Sequence, residues 1–237
     1  MVVPHTEPRA ADVLDRTPWV NSLGAPARDR LYSDAFLASY QSGQVVARKG
    51  SLSSSWIGVA DGLLKIAAVN RSGKIVMFTG IPSGGWIGEG TVLKRELRLY
   101  DIVAVRCSTV VHIPMRTFEW LHAHSIEFNH TLIEHLNERL GQYITMMEAG
   151  RVSDVVARTA RSIATLYNPV LYPSMDSHLR LSQTELGELV GLSRQSIGAA
   201  LKRLEVEGLL RVEYGGLTVI SVERLRSYEE AESGDCR

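Results

Sequence analysis

Net charge is the first thing this chain of 237 residues lacks: 26 Lys and Arg stand against 26 Asp and Glu. A nonspecific nucleic-acid coat needs a broad positive surface, so that class is excluded, whereas a binder with a local basic face is not. Cysteine is nearly absent, with only Cys107 and Cys236, far apart in the chain. That excludes a disulfide framework and fits a reducing compartment. No apolar run approaches the length that crosses a bilayer, and the opening MVVPHTEPRAADVLDR lacks the basic start and apolar core of a secretion signal. A cytoplasmic protein without a membrane partner is expected. A Ser-His-Asp signature, a P-loop and a glycine-rich dinucleotide fingerprint are also missing, so no enzymatic activity is expected.

What the chain does have is LSQTELGELVGLSRQSIGAALKRLEVEGLL, from Leu181 to Leu210. Ser182 can cap a helix carrying Leu186, Leu189 and Val190 on one face, and Glu185 completes a capping box. Gly191 ends that helix, and Ser193 caps a second one in which Ile197, Leu201 and Leu204 face inward. The outer face of the second helix offers Arg194, Gln195, Ser196 and Ala199, then Lys202 and Arg203, with no acidic residue between Ser193 and Leu204. Arg and Gln can each form paired hydrogen bonds with a base edge in the major groove, and hydroxyls with helix-start N–H groups suit phosphates. After Gly208, the stretch LLRVEYGGLTVISV alternates about a Gly215-Gly216 turn, as a two-strand wing would. The residues point to a winged helix-turn-helix bound to double-stranded DNA through Ser182, Ser193, Arg194, Gln195, Ser196, Ala199, Lys202 and Arg203.

This segment resembles the DNA-binding domain of the CRP/FNR transcription regulators. The residues that carry the resemblance are Leu181, Ser182, Glu185, Leu186 and Gly187; Gly191, Ser193, Arg194, Ser196 and Ile197; and Leu204, Gly208 and Leu209. The match is most specific over about Leu179 to Val222. The family's namesake has a Glu after the matching Arg and a second Arg four positions beyond. Gln195 and Ala199 stand there in this chain, so its half-site should differ.

Upstream, residues 1–30 read as a loose arm with at most one helix. Residues 31–124 break into short alternating runs separated by Gly, Ser and Asn, the texture of an antiparallel jelly roll. Residues 125–150 read as a long helix and hinge, and residues 151–237 as the DNA-binding domain. In the long helix Phe128, Leu132, Leu136, Leu140, Tyr143 and Met147 recur at threes and fours, widened by Ile133 and Ile144. The resemblance implies that this stripe pairs two chains into a homodimer, with Gly150 as the hinge and RNA polymerase a partner if the protein is an activator. The fold class is therefore α+β: a β-roll, a long dimerisation helix and a winged helix-turn-helix.

In family members that bind a cyclic nucleotide, a Gly-Glu pair is followed about ten residues later by Arg and a small hydroxyl residue. Gly88, Glu89, Gly90 and Arg98 match, but Leu99 stands where the hydroxyl belongs. The positions that would grip the base fall near Leu140 and Gly141, which offer no donor, and Thr145 lies a turn beyond. No cofactor is fixed by these residues: cyclic AMP or cyclic GMP, another small effector, or none remain open. Two rival functions stand beside the sensor–regulator: a ligand-independent regulator with a vestigial pocket, and a nucleotide-binding signalling module without DNA readout. His122, His124, His130 and His135 invite a metal reading, yet no carboxylate or cysteine completes a shell, so no metal is expected. Cys107 and His112 sit on one expected strand, where core packing is the plainer reading than haem.

Overall fold

A computed structural model describes residues 9–69, 75–149, 154–175 and 177–229. Contacts divide the chain into two compact units, Met1–Leu64 with Ile81–Leu136, and Lys65–Gly80 with Asn137–Arg237. The expected class holds, with sheets and helices in the order roll, long helix and winged helix-turn-helix.

Three short helices come first: α1 (Ala10–Leu14), α2 (Pro18–Asn21) and α3 (Ala25–Asp34). The loose arm read from sequence is therefore folded over residues 10–34. Leu14, Val20 and Leu31 are fully buried. Trp19 packs its ring tilted or edge-on against Trp56, Trp86 and Phe128 at centroid distances of 5.2, 5.3 and 5.7 Å. These anchors are spread over three helices, each too short to show a periodic face, so a sequence window misses them.

The roll follows with β1 (Phe36–Tyr40), β2 (Val45–Ala47), β3 (Ser55–Asp61), β4 (Leu63–Val69), β5 (Ile75–Pro82), β6 (Trp86–Ile87), α4 (Glu89–Lys94), β7 (Asp101–Ala104) and β8 (Ser108–Pro114). They form two four-stranded sheets, ordered β1-β8-β3-β6 and β2-β7-β4-β5. Strand β8 lies antiparallel between β1 and β3, which sets His112 opposite Phe36 on one side and Ile57 on the other. The core is strongly aromatic: Trp56 and Trp86 meet at 4.6 Å, and Phe118 and Phe128 pack edge-on to Trp56. Helix α5 (Met115–His124) closes this unit and leads into α6 (Ile126–Ala149), at whose start the Phe128 amide donates to Ser125 Oγ at 3.2 Å.

In the second unit, α7 (Val155–Ala164) is capped by Asp154, whose carboxylate accepts from the amides of Val156 and Ala157 at 3.2 and 2.6 Å. Then come β9 (His178–Leu179), α8 (Gln183–Val190), α9 (Arg194–Val206), β10 (Leu210–Glu213), β11 (Gly216–Val219) and α10 (Val222–Arg226). The wing is three-stranded, ordered β10-β11-β9. Strand β9 has two residues, too few to show alternation, and sequence alone reads it as loop. Glu213 pairs with Gly216, so the wing turn is Tyr214-Gly215, one residue earlier than expected. Gly216 belongs to the strand, where a Cβ would fall 2.6 Å from the Leu179 carbonyl oxygen. The expected hinge, Gly150, lies outside the described residues.

Candidate functional site

The reading element forms as the caps require. Ser182 Oγ accepts from the Glu185 amide at 3.2 Å, while Glu185 Oε2 accepts from the Ser182 amide at 2.7 Å. Gly191 ends α8 in the left-handed region, φ 72°, and Ser193 Oγ accepts from the Ser196 amide at 3.1 Å. Ile197, Ala200, Leu201 and Leu204 are buried, which turns Arg194, Gln195, Ala199, Lys202 and Arg203 outward. Four of the expected contact residues already have local partners, among them Ser193 and Ser196, whose hydroxyls lie 2.8 Å apart. The Ser182 hydroxyl serves the cap, and Arg203 Nε donates to Glu207 Oε1 at 3.1 Å. Arg194, Gln195 and Lys202 lie exposed, and Tyr214 stands fully exposed at the wing tip, a position the sequence reading missed.

Helix α6 carries two apolar faces rather than one. Phe128 and Leu132, expected at a dimer contact, are buried in the roll core with Trp56 and Trp86, so they leave the stripe. The exposed face runs through Ile133, Leu136, Leu140, Ile144 and Met147, spaced three or four residues apart, with Ile126 ahead of them. Tyr143 is half-buried. Leu140 is 59% exposed, and Gly141 beside it is exposed as well. The inward polar positions are others. Arg139 Nη1 donates to Gln142 Oε1 and to the Tyr172 hydroxyl, both at 3.0 Å, and Gln142 Nε2 donates to the Thr165 carbonyl oxygen at 2.9 Å. A polar cluster across a helix and a distant loop leaves no local signal in sequence.

The Gly-Glu cassette is a strand–helix junction. Gly88 turns at φ 99°, and a Cβ there would stand 2.8 Å from Arg98 Nη1, so glycine admits the guanidinium. Glu89 is buried and accepts from Trp56 Nε1 at 3.4 Å. Arg98 is 2% exposed, and its Nη2 donates to the Ser55 carbonyl oxygen at 2.9 Å. Its Nη1 is buried without a hydrogen-bond partner, and burial draws the guanidinium below its ordinary range, with Tyr100 opposing. Thr91 Oγ1 donates to the Gly88 carbonyl oxygen at 2.9 Å and fixes the start of α4.

Beside Arg98 opens a cavity of about 630 Å³, lined from β1, β2, β3, β8 and the 48–55 loop. His112 sits in its wall, with Ser55 Oγ 2.9 Å from Nδ1 and the Tyr40 hydroxyl 3.2 Å from Nε2. Phe36 stacks on the ring at 5.0 Å. Burial first, then the Arg98 charge, lowers His112 from 6.5 to about 4. Elsewhere, His122 Nδ1 lies 2.7 Å from Asn129 Oδ1, and His124 Nδ1 lies 2.8 Å from the Trp120 carbonyl oxygen. Among the described residues no three metal-ligating side chains converge. Cys107 is exposed, with its Sγ 3.1 Å from Gln41 Oε1.

Roll, cassette and reading helix define a DNA-binding regulator with a sensor-type domain. Residues 37–125 match the family model of the cyclic nucleotide-binding domain, and residues 138–228 that of the Crp-like helix-turn-helix domain. The cAMP-activated global transcriptional regulator CRP of Salmonella typhimurium is 24% identical over 212 residues, covering 84% of this chain and 97% of that protein. FixK2 from Bradyrhizobium japonicum shares the fold at TM-score 0.66 and 15% identity, over 83% of this chain and 98% of its own. The c-di-GMP responsive regulator CLP of Xanthomonas campestris does so at 0.60 and 22%, over 84% and 100%. The chain belongs to the CRP/FNR family of transcription regulators. Among the described residues no helix is long and apolar enough to cross a membrane.

Proposed function

We propose that this protein is a cytoplasmic homodimer that reads a palindromic DNA site with α9 and adjusts that reading to a small effector held in its roll. The observation that carries the proposal is the outer face of α9. Arg194, Gln195, Ala199 and Lys202 are exposed together on a helix whose buried side is packed and whose start is capped. Arg194 at the first turn can donate to both guanine acceptors, and Gln195 can pair with an adenine edge. One helix covers only a few base pairs, so two copies on half-sites a helical turn apart supply the specificity. The exposed apolar face of α6 supports pairing: an uncovered stripe from Ile133 to Met147, about four turns, is unfavourable in water and suits a parallel copy of itself.

The effector stays less defined. A relative is named for cAMP and another responds to c-di-GMP, while this chain keeps Gly88, Glu89 and Arg98 yet has Leu99 in the hydroxyl position. RNA polymerase would be the further partner of an activator. The deciding experiment is a gel shift on promoter DNA across a salt series. Phosphate contacts from two subunits give a steep fall of affinity with salt. A flat response would remove DNA reading and leave a signalling module.

A further inference from the structure

Of Gly88, Glu89, Gly90 and Arg98, only Arg98 lines the cavity beside it. Its volume of about 630 Å³ lies within the roughly 300–1,000 Å³ of small-molecule pockets. Two hydrogen-bond donors in its wall have protons to give. One is the guanidinium of Arg98, which borders the cavity and whose Nη1, beside Gly88, is buried without a partner. The other follows from His112, which has a hydroxyl at each ring nitrogen. The neutral ring has one N–H and one lone pair, so of Tyr40 and Ser55 one donates to it and the other accepts from it. The accepting hydroxyl keeps its own proton for a third group. Ser55 ties the two donors together, because its carbonyl oxygen holds Arg98 and its hydroxyl meets His112.

Charge and lining narrow the occupant further. Arg98 is the one buried cation of the lining, since Arg48 is exposed and His112 is neutral. One buried charge is balanced by a monoanion. The apolar part of the wall includes Phe36, Val45, Ala47, Leu52, Ile57 and Pro114, while Arg48, Ser51 and Ser54 add polar groups. We propose that this cavity binds a small organic acid, its carboxylate pairing with the Arg98 guanidinium and accepting from the spare Tyr40 or Ser55 hydroxyl, and its aliphatic or aromatic body lying against β1 and β2. Calling the occupant an effector rests on the sensor reading of the roll; the binding itself does not.

The full chain, free of DNA, is titrated by calorimetry with phenylacetate and octanoate, and with phenylacetamide and octanamide as uncharged controls. At least one acid binds, with its amide weaker by about tenfold or more, and the ring nitrogen resonances of His112 shift as the acid is added. Arg98→Met abolishes the acid preference. Because removing a buried Arg can unfold the roll, Ala47→Leu provides a second route: it narrows the cavity, keeps Arg98 and weakens the acid. Silence from both acids at millimolar concentration, equal binding of acid and amide, or full binding by both folded variants overturns the proposal. Acid binding without a gel shift would remove only the DNA-reading function, and a gel shift without acid binding only this one.

Discussion

Two arginines summarise the contrast between the two halves of the chain. Arg194 opens α9 exposed to solvent, whereas Arg98 is 2% exposed with one nitrogen unpartnered. An exposed guanidinium keeps its hydration until a large surface arrives, so it suits a duplex, which cannot enter a protein. A buried one has already lost its water and suits a small anion that comes in. The same cation therefore reads objects of opposite scale, and what decides is the packing of the residues around it.

Helix α6 repeats the contrast along its own length, and there the largest effect is expected. Phe128→Ala removes a ring from the Trp19, Trp56 and Phe118 cluster and should cost about 3–5 kcal/mol of stability in urea unfolding. Leu140→Glu on the exposed face should leave that stability nearly unchanged, yet convert a dimer into a monomer in sedimentation. Equal losses of stability from both substitutions would erase the distinction between the two faces.

His112 gives the next effect. Its folded value of about 4 lies below the ordinary 6.5, so between them the unfolded chain binds the extra proton. Stability is fully present above 6.5 and falls as pH drops toward 4, by an amount on the order of 3 kcal/mol. His112→Phe should flatten that part of the profile in urea titrations between those values. On the DNA side, Arg194→Ala should weaken specific binding by about 1–3 kcal/mol with nonspecific affinity retained. An unchanged ratio of specific to nonspecific binding would move base reading elsewhere on α9.

Legibility in the sequence followed the same division. The helix-turn-helix was readable down to single hydrogen bonds because its determinants are local: a cap and its partner lie three residues apart, as with Ser182 and Glu185. The long helix was also readable, but a periodic stripe does not say which neighbour covers it, so Phe128 and Leu132 were assigned to the wrong partner. Trp19 and Trp56 come from distant segments, as do Tyr40, Ser55 and His112, and only the sheet register unites them. Arg98 was legible as a cation after a Gly-Glu pair; its burial and its Ser55 contact were not.

Ser182 offers the smallest effect and the sharpest test of what local legibility means. It belongs to the set expected at the DNA, yet its hydroxyl accepts from the Glu185 amide and its own amide donates to Glu185 Oε2. A hydroxyl used as a cap lowers the free energy of the folded state whether or not DNA is present. Ser182→Ala should therefore cost about 1 kcal/mol of stability and leave the affinity for DNA unchanged. Thermal unfolding and gel shifts on the same preparation separate the roles. If stability holds while affinity for DNA falls, Ser182 acts at a phosphate, and the cap is left to Glu185 and the helix that follows.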